Sequence, residues 1–335
     1  MTTQIHSFQC DVNHAIVSRL ACKGPQALAD LAKGLGVAVP ELEPRMVLLA
    51  QQGWVECEVP DVWQLRQKAH FLDAGIIASN LDVALPVPVN VEAVLETGST
   101  NDDLLARART GSVHGVALLA EGQTLGRGRR GRSWVSPLAS NLYLSLAWQL
   151  TPGPSGPGGL SLAVGCALAQ ALERYSEVPL QLKWPNDLYI ENKKLGGILI
   201  DIAGDPLSEC KVVVGFGLNV DMPLEKSSAI DQPWTDLTQH SQTSLDRNAL
   251  AATCITALVE ALVVFDEGGF DAFRSAWDRY DCLKGRSVEV LGSPPIKGVG
   301  AGVDETGALL VDIGSGLVPV HGGEVSVRDR GLDAL

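Results

Sequence analysis

The chain has 335 residues, more than one usual domain, with 46% hydrophobic and 19% charged residues and a net charge of -13; this suffices for two or three cores and excludes a generic nucleic-acid coat, which needs a basic surface. The seven cysteines (10, 22, 57, 166, 210, 254 and 282) include no C-x-x-C pair, which argues against a zinc or disulfide framework and for a reduced, intracellular protein. No basic segment followed by an apolar run opens the chain, and the most apolar stretches, Leu160–Leu172 and Leu250–Phe265, are too short or too interrupted by Gln170 and Glu260 to cross a bilayer, so they read as buried helices of a soluble cytoplasmic protein with no membrane partner.

In chain order, residues 12–67 come first. Ala15–Ala21, Pro25–Leu35 and Glu41–Gln52 space their apolar residues as helices do, with Gly24, Gly36 and Gly53 at the breaks. Trp54–Val59 and Val62–Leu65 then alternate as two strands around Pro60-Asp61. Three helices and a strand pair are the layout of a winged helix-turn-helix over residues 1–67, and Glu41–Gln52 would be its reading helix. That helix carries Glu41 and Glu43 at its start, Pro44 inside it and Arg45 as its only cation. DNA affinity comes from neutralised phosphates, and little here would neutralise them.

Residues 68–90 read as a linker, helical near Arg66–Ala74 and then stiff and extended over Ala84–Val89. From 91 to 282 strands and helices alternate, which points to an α/β unit. Strands are expected at Val91–Thr97, Gly115–Ala120, Asn141–Leu146 and Val212–Val214, and a helix at Asp102–Arg109. Thr151–Gly159 reads as a surface loop, and Met222–Trp234 as a second one, disordered in the empty protein. Residues 283–335 change character. Ser287–Leu291, Leu309–Ile313, Leu317–Val320 and Glu324–Arg328 are short strands between Gly-rich turns, enough for a small barrel.

The chemistry gathers in four segments of the middle unit. Gly126–Arg132 interleaves four arginines with three glycines in an acidic protein. Glycine lets the backbone approach a ligand, and arginine offers a donor fork suited to phosphate or carboxylate. The G-x-G-x-x-G match is not a dinucleotide turn, because Arg132–Pro137 is a poor helix start, and no P-loop pattern occurs. Gly98-Ser99-Thr100-Asn101 gives three consecutive hydrogen-bonding side chains between strand and helix, where a cap needs one. Lys183-Trp184-Pro185-Asn186-Asp187 and Lys193–Leu199 set charge and amide beside strands, which is costly in a core unless a ligand pairs with them. Gly215–Val220 closes an apolar strand with small residues and Asn219, as if a flat ring lay on it.

Together, in this order and spacing, Ser-Thr-Asn, Gly-Arg-Gly-Arg-Arg-Gly-Arg, Lys-Trp-Pro-Asn-Asp and Lys-Leu-Gly-Gly-Ile-Leu resemble the biotin–protein ligases, specifically the bifunctional ligase and biotin-operon repressor type, over nearly the whole chain. Gly322–Arg328 resembles that family's C-terminal SH3-like barrel. The resemblance implies an α/β (α+β) catalytic domain related to class II aminoacyl-tRNA synthetases. It implies an ATP-dependent, AMP-forming biotin–[acetyl-CoA-carboxylase] ligase that uses Mg²⁺, makes biotinyl-5'-adenylate and modifies one lysine of the biotin carboxyl carrier protein. It places biotin against Ser99, Thr100, Asn101, Gln123, Arg127, Gly128, Arg129 and Lys194. It places ATP or the adenylate against Arg130, Arg132, Trp134, Asn186, Asp187 and Asn219, and gives catalytic roles to Lys194, Arg129 and Lys183. It leaves the metal ligand unassigned, and no histidine in these motifs is an evident base for the transfer step. A ligand-linked homodimer formed near the arginine loop, and binding to a biotin operator, are implied as well; the acidic reading helix departs from the family there. The alternative is a biotin-sensing DNA-binding regulator with little ligase activity. A lipoate ligase is disfavoured by the polar set at Ser99–Asn101, which suits a ureido ring.

Overall fold

The computed structural model describes residues 2–51, 53–66, 70–151, 157–204, 210–291, 294–321 and 326–329. It opens with α1 (Thr2–Lys23), β1 (Gln26–Ala27), α2 (Leu28–Leu35), α3 (Val39–Gln51), β2 (Val55–Val59) and β3 (Val62–Leu65). Ile16, Leu20, Leu31, Leu42, Met46 and Leu49 bury one face of each helix against the others and against Trp54. The helix expected over Pro25–Leu35 starts three residues later. Gln26 and Ala27 instead pair with Trp63 and Val62, adding a third strand to the wing. α1 is longer than the Ala15–Ala21 stretch predicts. On α3, Val47 and Leu48 are exposed at 47% and 45%, Glu41 and Glu43 are exposed, and Arg45 donates to Asn13 Oδ1 at 3.4 Å. The outward face of this helix is therefore apolar and acidic.

The connecting segment is tied down on both sides. The helix expected near Arg66–Ala74 forms instead as α4 (Ala74–Ser79), because the Asp73 carboxylate accepts from Ile76 N–H and caps it there; residues 67–69 lie outside the described residues. Leu72 N–H donates to Glu121, whose other oxygen pairs with Arg247 at 2.8 Å; Arg247 also donates to the His70 carbonyl. Glu121 is wholly buried. Leu85, Val87 and Val89, in the extended stretch, pack against the main core.

The middle unit contains β4 (Asn90–Thr97), α5 (Thr100–Thr110), β5 (Val116–Gln123), β6 (Leu142–Leu150), α6 (Leu160–Ser176), β7 (Gln181–Lys183), β8 (Asp187–Ile190), β9 (Lys193–Ala203), β10 (Cys210–Leu218), α7 (Leu224–Ser227), α8 (Arg247–Gly268) and α9 (Arg274–Tyr280). Its seven strands form one sheet in the order β4-β5-β6-β10-β9-β8-β7, parallel at β4–β5 and antiparallel elsewhere. Both predicted buried helices, α6 and α8, lie in the large core with Leu168, Leu172, Ile255, Leu258 and Leu262 at 0% exposure. α5 covers a second cluster, in which its Leu104 and Ala108 pack with Leu118 of β5 and Val213 of β10. Among the described residues α8 alone is long and apolar enough to cross a membrane, and most of it is buried inside the protein. Within Thr151–Gly159, residues 152–156 lie outside the described residues.

The C-terminal unit is a five-stranded antiparallel sheet in the order β14-β13-β12-β11-β15, made by β11 (Ser287–Leu291), β12 (Ile296–Val303), β13 (Leu309–Asp312), β14 (Leu317–Val320) and β15 (Ser326–Asp329). β12 was not expected, since its three glycines look like a turn. Two of them have a packing reason: a Cβ at Gly298 would lie 2.2 Å from the Asp312 carbonyl and one at Gly300 2.3 Å from the Leu283 carbonyl. Of the expected strand Glu324–Arg328, residues 324 and 325 lie outside the described residues, as do Gly322 and Gly323. The Trp184 indole donates to the Gly307 carbonyl at 3.0 Å and Arg286 to Asn192 Oδ1 at 2.9 Å, so this sheet is fastened to the middle unit beside the Lys-Trp-Pro-Asn-Asp segment.

Candidate active site

The sheet presents one open cleft of about 1100 Å³, and every candidate residue named from the sequence lines it. At one end, Ser99 caps α5 by accepting from Asp102 N–H. Thr100 N–H donates to Gln123 Oε1 at 2.9 Å, and Gln123 Nε2 reaches Ser136 Oγ at 3.3 Å. Ser145 Oγ lies 2.7 Å from Thr100 Oγ1 and 2.6 Å from Asn101 Oδ1. Asn101 Nδ2 donates to the Leu199 carbonyl at 3.1 Å and to Asp201 at 2.9 Å. Ser99, Thr100 and Asn101 are all buried. Buried hydroxyl and amide groups held at fixed positions suit a small ring with both donors and acceptors, and leave an analogue lacking one of them poorly matched.

The arginine loop crosses the cleft mouth as a short hairpin. Trp134 N–H donates to the Gly126 carbonyl at 2.8 Å and Gly128 N–H to the Arg132 carbonyl at 2.7 Å. At its tip Arg130 adopts φ 60° and Gly131 φ 71°, both left-handed. Arg130 and Arg132 are exposed. Arg129 turns inward, its Nη1 3.3 Å from Asn186 Oδ1. Burial holds the Arg129 guanidinium below its ordinary value, and Asp187 opposes that; an arginine nevertheless stays charged at any working pH.

The other end is built on β8, β9 and β10. Lys194 Nζ lies 2.8 Å from Asp187 and 5.5 Å from the centre of the Trp134 ring. Lys183 Nζ lies 5.2 Å from the Tyr189 ring centre. Asn186 Nδ2 donates to the Ile198 carbonyl at 2.6 Å. The Trp134 indole lies across Gly217, where a Cβ would come within 2.6 Å of it, and its Nε1 is buried without a hydrogen-bond partner. The flat ring expected against Gly215–Val220 is thus in part this indole. Asn219 is buried and donates to the Thr235 carbonyl at 3.0 Å. The segment 222–234 is placed along the cleft with α7 inside it, and it is tied to β9 where Lys194 N–H donates to the Pro233 carbonyl at 3.0 Å. Sequence reasoning missed Ser145, Asp102 and Asp201. The signal for Asp201 is a carboxylate within the apolar run Ile198–Ile202 of β9, and for Asp102 its place directly after Ser-Thr-Asn.

Comparison with known proteins bears on this arrangement. Residues 99–219 match the Biotin/lipoate A/B protein ligase family, and residues 285–328 match the Biotin protein ligase C terminal domain. The bifunctional ligase/repressor BirA of Salmonella typhimurium is 37% identical over 301 residues, covering 89% of this chain and 92% of that protein. The chain belongs to the biotin protein ligase family. The biotin--[acetyl-CoA-carboxylase] ligase of Mycobacterium tuberculosis is 34% identical over 70% of this chain and 88% of its own length. Among solved structures, the biotin protein ligase from Aquifex aeolicus in complex with biotin and ATP matches 71% of this chain and 98% of its own, with TM-score 0.61 and 32% identity. The four sequence segments of this ligase line a single cleft.

Proposed function

We propose that this ligase joins biotin to AMP and passes the biotinyl group to one lysine of a biotin carboxyl carrier protein. A biotin carboxylate oxygen attacks the α-phosphorus of ATP, and pyrophosphate leaves. The carrier lysine, as a neutral amine, then attacks the acyl carbon; the nitrogen loses a proton and AMP leaves. The observation that carries this reading is that Lys194, Lys183 and Arg129 line the same cleft as the polar Ser99–Gln123 end and the Trp134–Asn219 end. Two anions repel each other as they meet, and fixed cations at the junction lower that barrier by position and by charge.

In this reading Ser99, Thr100, Asn101 and Gln123 hold the ureido ring, and Lys194 holds the carboxylate and later the bridging phosphate. Arg127 and Gly128 form the base of the flap over it, Arg129 lies against the acyl phosphate, and Arg130 and Arg132 face the nucleotide. Trp134 and Asn219 receive the adenosine, with Lys183, Asn186 and Asp187 beside the phosphates. Closure of the flap keeps water from the mixed anhydride. Among the described residues no group of three or more His, Cys, Asp or Glu could cage a metal. Asp187 and Asn186 offer a carboxylate and an amide oxygen in the cleft beside Lys194 and Arg129. This pair fits Mg²⁺, which takes one or two protein oxygens and otherwise phosphate and water. Asp187 and Asn186 would hold it, and it would offset phosphate charge. Since the substrate is ATP, the reaction belongs in the cytoplasm.

Mixing the protein with biotin, ATP, Mg²⁺ and a biotin carboxyl carrier fragment tests this. One biotinyl group should appear on the carrier by mass spectrometry, with lipoate a poor competitor. An unlabelled carrier would reject the reading. A DNA-binding role for residues 1–67 is supported by the element order α1–α3 followed by the β2–β3 wing. The apolar and acidic face of α3 makes that binding weak, strengthened where adenylate promotes a dimer.

A further inference from the structure

We propose that Asp102 and Asp201 are positioning residues that tether Arg127, and with it the base of the arginine loop, to α5 and β9. This rests on the ligase reading for its kinetic consequence, though not for its geometry. Arg127 Nε lies 3.1 Å from Asp102 Oδ2, its Nη2 contacts Asp102 Oδ1, and the same Nη2 lies 3.2 Å from Asp201 Oδ2. One guanidinium is therefore shared by two carboxylates from two different elements. Backbone pairing of Arg127 with Ser133 puts that guanidinium at the foot of the hairpin, below the left-handed turn at Arg130 and Gly131.

The consequence for charge is direct. In a loop of four arginines, Arg127 has its charge offset within the protein, so its side chain anchors the loop and does not meet a substrate anion. Asp201 also accepts from Asn101 Nδ2 at 2.9 Å, so the tether joins the polar end of the cleft to the flap. The side chains of Arg127 and Asp102 are 38% and 50% exposed, and Asp201 22%. Exposed ion pairs are individually weak and are screened by salt. The tether should therefore be releasable: firm at low ionic strength and loose at high.

The test compares the parent with Asp102→Asn, Asp201→Asn, the charge-exchanged pair Asp102→Arg with Arg127→Asp, and Asp103→Asn. Asp103 shares the first turn of α5 but bonds Thr97 Oγ1 at 2.6 Å, so it reports any effect of lost helix-terminal charge alone. Two readouts are used at about 50 mM and about 500 mM salt: escape of biotinyl-adenylate, seen as labelling of bystander lysines, and the rate of tryptic cleavage after Arg130 and Arg132. The parent should accelerate about fivefold with salt in both. Asp102→Asn and Asp201→Asn should each start about twofold faster and keep only part of the salt dependence, as loss of one of two exposed pairs predicts. The exchanged pair should recover the parent's behaviour in part, and Asp103→Asn should match the parent throughout. Parent-like cleavage and salt dependence in both single variants would overturn the tether, as would equal effects of Asp102→Asn and Asp103→Asn. A parent that forms no adenylate would strike the ligase reading instead, and the cleavage rates would still decide the tether.

Discussion

Gly215 and Gly217 stand two residues apart on β10, on the same face, each under a different part of the cleft. A Cβ at Gly215 would lie 2.1 Å from Asn101 Oδ1, whereas ordinary contact starts at 3.4 Å. Clearing it moves the Asn101 amide by more than 1 Å, away from the Leu199 carbonyl, Asp201 and Ser145. In the proposed pose, an amide so displaced misplaces about two hydrogen bonds to the biotin ring, and at a net of about 1 kcal/mol each that gives about 2 kcal/mol, or about 30-fold in affinity. At Gly217 the Cβ would meet Trp134 Cε2 at 2.6 Å, but that indole makes no hydrogen bond and can tilt. Overpacking of this kind costs about 1 kcal/mol, or about fivefold. Gly215→Ala should therefore raise the KM for biotin about 30-fold with little change for ATP, and Gly217→Ala should raise the KM for ATP about fivefold with little change for biotin. Steady-state labelling of a carrier fragment, with thermal melts to check folding, reads both. A parent-like biotin KM in Gly215→Ala, or the same KM raised in both variants, would refute the assignment of the two ends.

Other outcomes follow from the same geometry. Lys194→Ala should lower carrier labelling by about 10² to 10³, the scale for removing one preorganised charge contact; normal labelling would reject its role. Arg129→Gly should release adenylate and label bystander lysines, and selectivity equal to the parent's would show that this side chain does not seal the flap. In a gel shift at low salt, a biotin operator should be retarded weakly by the protein alone and more strongly with adenylate; no complex in either state would discard the DNA-binding role. Burial pushes the Cys166 and Cys254 thiols up to about 12, so at pH about 8.5 only about one in three thousand is ionised. Maleimide or disulfide exchange on the native protein should therefore modify the exposed Cys22 and Cys57 and spare those two, and rapid labelling of Cys254 would contradict the packing of α8.

The parts of this protein legible in its sequence were those decided locally. Leu160–Leu172 and Leu250–Phe265 are apolar on nearly every side, and only a core helix satisfies them. Ser99 reads as a cap because its hydroxyl precedes a helical stretch. The arginine loop is legible because no packed element tolerates four cations among three glycines. What escaped was set by contacts distant in sequence. Gln26 and Ala27 look like a helix start and become a strand because Val62 and Trp63 offer them a partner. β12 is hidden by glycines whose reason is the close passage of Leu283 and Asp312. Asp201 looks like a stray charge in a strand until Asn101 and Arg127 are brought to it from far upstream.

The junction of Glu121 and Arg247 limits how this chain can be divided. A ligase fragment begun at Val91 would remove the amide of Leu72 and the carbonyl of His70, so Glu121 and Arg247, a buried pair, would each lose a hydrogen-bond partner inside the sheet's flank. A fragment begun before His70 would keep both. Shortening the protein from its amino end should thus be tolerated up to that point and become abruptly harmful beyond it, whatever the first helices do.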